Sequence, residues 1–214
     1  TKALTITGPG ATALTIDGNA NDRVFWLVNA PLVSISGLTI TNGSSDFGGG
    51  ISAQNSILSL NACAITGNQA ISGAAGVNIH TGSTATITNC TISGNTSGGQ
   101  CGGVQVNDAT ATLTNCTISG NMGTVATGVL GLQFSTPTTV TLINCTVASH
   151  HPHGVYTQAA AIILQNTIVA SNTQNFVRTM GGTTTSLGNN LDTDGRSGFN
   201  NGVNGDIVGT TGSP

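Results

Sequence analysis

Short runs in which apolar and polar residues alternate recur along the chain, and they recur in register. When Cys63, Cys90, Cys116 and Cys145 are aligned, Ile65, Ile92, Ile118 and Val147 follow two positions later. Leu60, Ile87, Leu113 and Leu142 stand three positions before, and Asn68, Asn95, Asn121 and His150 five after. The register passes through Leu14, Leu38 and Thr167 with other residues in the cysteine position, in steps of 22–29 residues. Alternation with period two predicts strands with one buried face. Repetition of whole strand groups at this spacing predicts stacked coils.

A second signature joins the first from Gly50-Ile-Ser-Ala53 and returns at Gly76-Val-Asn-Ile79, Gly103-Val-Gln-Val106, Gly131-Leu-Gln-Phe134 and Gly154-Val-Tyr-Thr157. The alternation turns Ile51, Val77, Val104, Leu132 and Val155 inward and Ser52, Asn78, Gln105, Gln133 and Tyr156 outward. The glycine before each strand suits a positive φ or a close approach of backbones. Each coil then holds three strands of the forms G-V-x-V, T-x-T-I-T and C-T-I-S. The expectation is an all-β, single-stranded parallel β-helix of about seven to eight coils with three short parallel sheets. Its handedness follows the right-handed crossover rule. Coils occupy residues 1–172, and 173–214 form an irregular coil and cap on the end of the stack. Asparagine at the bend after the third strand fits a left-handed corner and a side-chain ladder between coils. Trp26, in the strand Arg23–Val28, reads as core or a plug at the edge of a coil.

Composition narrows the function. Only 5% of residues are charged, against about 25% in an average protein. Glutamate is absent, and the basic residues are Lys2, Arg23, Arg178 and Arg196. Nucleic-acid binding needs clustered cations, so it is not expected. No run approaches the length of a membrane span. The cysteines, sharing their column with Leu and Thr, read as small buried hydrophobes.

The segments GLTITNG (37–43), GGGIS (48–52), NCTISGN (89–95 and 115–121), NTIVASN (166–172), SLGNNL (186–191) and GDIVGT (205–210) resemble repeats of bacterial surface β-helix proteins. These are related to chlamydial polymorphic outer-membrane proteins and to secreted CSLREA and choice-of-anchor proteins. The resemblance implies a bacterial, secreted or cell-surface scaffold, structural or adhesive, without catalysis or cofactor. Neither the CSLREA segment nor an anchoring tail is present in these 214 residues.

Candidate chemistry is sparse. Parallel β-helices also house polysaccharide lyases and hydrolases, which need convergent carboxylates or a carboxylate-held metal with a base. The seven aspartates are scattered, and no Arg or Lys stands between residues 24 and 177. A glycan-binding alternative uses the outward row Ser52, Asn78, Gln105, Gln133 and Tyr156. A less favoured alternative, ice binding, uses the threonine columns Thr84, Thr110, Thr139 and Thr86, Thr112, Thr141. Asn190, Asp192 and Asp194 form a D-x-D-G-like turn that would take Ca2+, although the usual bidentate glutamate is missing. His150, His151 and His153 suggest a transition metal, with a solvated loop as the default reading. The N-C-T triplets at 89, 115 and 144 belong to the repeat. An exposed N-terminal strand edge is expected to meet a further domain or a second copy of the chain, while the C-terminal segment covers its own end.

Overall fold

The computed structural model describes residues 2–210, and almost all of them belong to a parallel β-solenoid of about seven turns. The first sheet has seven strands, from Phe25–Val28 through Val77–His80 and Val104–Asn107 to Gln174–Thr179. The second has eight, from Leu4–Thr7 through Thr84–Thr88 to Thr183–Ser186. The third has nine, from Thr15–Asp17 through Thr91–Ser93 to Ile207–Val208. A fourth, unexpected sheet of three two-residue strands (Ser44–Ser45, Gln69–Ala70 and Thr96–Ser97) lies on the return path to the first. Such short strands carry too few residues to show a period.

The aligned columns are the core. Ile40, Ile65, Ile92, Ile118, Val147 and Val169 stack in register inside the third sheet and are fully or almost fully buried. All five cysteines are free and buried. The cysteine column also has a polar task. The backbone N–H of Cys63 donates to Cys90 Sγ (3.4 Å), that of Cys145 to Thr167 Oγ1 (3.3 Å), that of Thr167 to Asn190 Oδ1 (2.9 Å) and that of Asn190 to Asp206 Oδ1 (2.8 Å). The corner turns each N–H out of the sheet ladder, and a buried donor needs a partner. Cysteine supplies a compact acceptor there.

The asparagine ladder follows the same logic. Asn68 Nδ2 donates to Asn95 Oδ1 (3.0 Å), and Asn95 Nδ2 to Asn121 Oδ1 (2.9 Å). The left-handed corner falls one residue earlier than the sequence suggested, on Gly67, Gly94, Gly120, Ser149 and Ser171, so these asparagines point inward. His150 takes the next rung. It is buried rather than solvated: Asn121 N–H donates to its Nδ1 (3.3 Å), and its Nε2 lies 3.0 Å from Ile118 O. A neutral imidazole thus reproduces the acceptor and donor of an amide. Burial, opposed by those hydrogen bonds, lowers its pKa.

Sequence and structure part at the 29-residue step between Cys116 and Cys145. The strand of the first sheet is Val129–Leu132, with Val129 opposite Val104 and Leu130 opposite Gln105. Gly128 continues the glycine column: a Cβ there would stand 2.3 Å from Gly154 O, so close backbone approach excludes a side chain. The extra residues form a loop over 133–138, held by three backbone N–H groups donating to Asp108 Oδ1 (2.8–3.1 Å). Gly131-Leu-Gln-Phe matched the repeat in letters but lies past its position.

Strands beyond residue 172 extend all three main sheets. Phe199 packs edge-on against Phe176 (5.9 Å between ring centres), and Arg178 donates to the carbonyls of Arg196 and Ser197. At the opposite end Ile6 and Ile16 are only half-buried.

Candidate functional site

Strand register sets one row across the outer face of the first sheet: Trp26, Ser52, Asn78, Gln105, Leu130, Tyr156 and Val177. A neighbouring row runs Val28, Gln54, His80, Asn107, Leu132 and Gln158. Both face away from the core, yet Ser52, Asn78 and Gln105 are only 1–3% exposed. The cause is an outer layer of loops that folds back over the sheet, joined by the bridges Ala74↔Cys101 and Cys101↔Ala126.

The two ends of the row differ. Towards the C-terminus the layer closes: Leu130 and Leu132 pack with Ala74, Cys101 and Ala126, and Tyr156 leans on them. Towards the N-terminus it stands away and leaves a groove of about 270 Å3 between Phe47 of the outer layer and the first sheet. Trp26 forms its wall. It is 62% exposed, so the expectation of a core residue or plug is corrected: it stands on the outer face of the sheet's first strand, beyond the reach of the loop layer.

Most of the groove's surface is apolar, and its polar groups are incompletely satisfied. Asn78 Oδ1, Gln105 Oε1, Asn107 Oδ1 and Arg23 Nε are buried without a hydrogen-bond partner, and all four residues line it. They are the unpartnered buried side-chain polar atoms among the described residues. Each such atom normally costs about 1–3 kcal/mol, so their gathering in one place calls for an explanation. Arg23 lies 4.6 Å from the centre of the Trp26 ring, donates from Nη2 to Ser45 Oγ (2.6 Å) and has Asp22 at 3.4 Å from Nε. His80 Nε2 is 3.4 Å from Ser52 Oγ, and burial together with the Arg23 charge lowers its pKa. Among the described residues, no carboxylate lines the groove.

Of the outward row read from the sequence, Ser52, Asn78 and Gln105 meet in this groove. Gln133 does not: Leu130 holds its position, and Gln133 Oε1 accepts from the Thr138 N–H in the loop (3.2 Å). Tyr156 belongs to the row but lies half-buried in its closed half. Arg23 and Phe47 gave no periodic signal, though Trp26 stands only three residues from Arg23, the lone cation of that region.

The other candidate sites are placed as follows. Thr84, Thr110 and Thr139 pair across coils, as do Thr86, Thr112 and Thr141, flanked by Ser59 and Ile163. Asn190 and Asp192 are buried in the cysteine and isoleucine columns, and Asp194 sits beside them. Their oxygens already accept protein hydrogen bonds: Asp192 from Asn175 and Ser197, Asp194 from Asn175 and Arg196, Asn190 from Thr167. Burial tends to raise the Asp192 carboxyl, but those bonds outweigh it and hold it low. No group of three or more His, Cys, Asp or Glu side chains is placed to hold a metal among the described residues. His151 bonds to Thr173 and His153 packs on Tyr156, so the three histidines diverge. Asn89, Asn115 and Asn144 of the N-C-T triplets occupy exposed left-handed corners and form their own amide ladder (3.1–3.2 Å).

No helix among the described residues is long and apolar enough to cross a membrane. Compared with protein-family models, curated proteins and solved structures, the chain has no match.

Proposed function

We propose that this chain is a saccharide-binding module of a secreted or surface-displayed bacterial β-solenoid protein, and that it binds without turning over its ligand. One observation carries the reading: an exposed tryptophan stands at a groove lined by a histidine and several amide side chains, three of them with buried oxygens that lack a donor. A ring to stack on and a few fixed polar groups are what a small polyol needs for orientation. The absence of a carboxylate pair from the lining argues for binding over glycosidic cleavage. The surface location rests on the likeness of the NCTISGN and GLTITNG repeats to those of bacterial surface solenoids, and an adhesive role fits a groove on a rigid rod. A screen of the purified chain on immobilised glycans, followed by titration, tests the proposal. Trp26→Ala should weaken the best ligand at least about tenfold, equivalent to about 1.4 kcal/mol. Failure of every glycan to bind, or a variant binding as well as the parent, would remove the reading.

A further inference from the structure

We infer that the N-terminal face of the rod is a docking surface for one further β-coil of the same cross-section, running parallel to the coil beneath it. Such docking goes beyond the saccharide reading and does not rest on it. Strands Leu4–Thr7, Thr15–Asp17 and Phe25–Val28 each end their sheet, all at this end of the rod. The backbone there is left in mid-ladder. In later coils the N–H that follows the cysteine column donates to the carbonyl of that column one coil back. Thr39 donates to Leu14 O (2.8 Å), Ala64 to Leu38 O (3.1 Å), Thr91 to Cys63 O and Thr117 to Cys90 O (both 3.0 Å). Thr15 holds the same place, opposite Thr39, and its N–H has no partner among the described residues. The inward columns are open as well. Leu4 stands over Val33 and Leu14 over Leu38, yet they are 50% and 41% exposed where Val33 and Leu38 are 4% and 0%. Ile6 and Ile16 continue the columns of Ile35 and Ile40 and are only half-buried. Free strand edges around exposed apolar side chains invite a further strand layer.

The far end decides against a second copy stacked head to tail. There Phe199 packs on Phe176, Ser197 and Asp206 are buried, and Asp206 Oδ1 accepts the Asn190 N–H (2.8 Å). A copy could use that end only by displacing this cover. Two copies meeting by their N-terminal faces would run antiparallel and reverse the order of the sheets round the axis, setting unlike sheets together. A coil running the same way instead continues the interface that already joins each coil to the next. It extends all three ladders at the usual spacing of roughly 4.8 Å and lays its inward residues over Leu4, Ile6, Leu14 and Ile16. Its own cysteine-column carbonyl accepts the Thr15 N–H.

Residue-resolved amide exchange and sedimentation equilibrium test this on the intact chain and on the chain carrying a copy of residues 82–107 ahead of residue 1. That copy is one full coil, in register with the column Leu4, Val33, Leu58, Ala85 and Ala111. The unextended chain should be a monomer whose Thr15 amide exchanges at least about a hundredfold faster than that of Thr91. The added coil should slow Thr15 exchange at least about tenfold and raise the melting temperature. The same copy carrying Ile87→Asp and Ile92→Asp sets charges over Ile6 and Ile16 and should do neither. Equal protection of Thr15 and Thr91 in the unextended chain would overturn the inference, as would a coil that leaves Thr15 exchange unchanged or protection by both copies alike. A dimer that Ile16→Lys dissolves would overturn it too, by making a second copy the occupant.

Discussion

Asn95 and Asn78 are buried to nearly the same degree, at 0% and 3% exposed, and each holds one position in a column that runs from coil to coil. Their chemistry is opposite. The Asn95 side chain makes four hydrogen bonds: it accepts from the Asn68 backbone and side chain and donates to Ile65 O and Asn121 Oδ1. Asn78 Oδ1 makes none. The interior ladder holds coils together, and the groove row holds polar atoms in readiness at the expense of stability. A buried polar group is thus informative only after its partners are counted.

The comparison can be broken most forcefully at Asn95. Replacement by Leu removes partners from groups in both neighbouring coils, so a loss of about 3–5 kcal/mol is expected in urea unfolding. A loss under about 1 kcal/mol would show that the ladder does not hold the coils. His150 sharpens the same contrast. Its pKa is lowered in the fold from the ordinary 6.5, so the unfolded chain binds the proton more readily. Stability is complete above that value and falls as pH drops below it towards the depressed folded value. Protonation would turn Nδ1, which accepts from the Asn121 N–H, into a donor. Replacing His150 by Asn restores the ladder's own side chain, and should flatten that acid-side slope with a change of about 1 kcal/mol or less at neutral pH. An unchanged slope in pH-dependent melting would assign the titration elsewhere. The smallest effect on stability is expected at Asn78. Leu there removes an unpartnered oxygen, so stability should stay level or rise by up to about 1 kcal/mol while saccharide binding falls. A large destabilisation would place Asn78 with the scaffold.

Much of the scaffold was legible because a stack of coils repeats its own environment. Each column sees the same neighbours one coil away, so Ile65, Ile92 and Ile118 announce a shared interior as soon as they are aligned. The cysteine column was read as apolar filler because its second task, accepting a backbone N–H from the neighbouring coil, has no signature in one residue type. Gln133 was misplaced because four letters repeated at the wrong point of a longer coil, and only the pairing of Val129 with Val104 fixes the register.

What the sequence alone determined is most of the rod: which residues face inward, how coils stack and where glycine must stand, except in the coil of Val129–Leu132, where Leu132 faces outward and Gly128, not Gly131, holds the glycine position. These follow from local alternation and the spacing between copies, which are properties of the chain itself. The tertiary structure decided what becomes of the outward rows. A strand's period says that Ser52, Asn78 and Gln105 leave the core. Whether they then meet water, a closed apolar layer or a groove depends on loops of unequal length folding back from other parts of each coil. That layer opens beside Trp26 and closes over Leu130 and Leu132, and no periodicity encodes the difference.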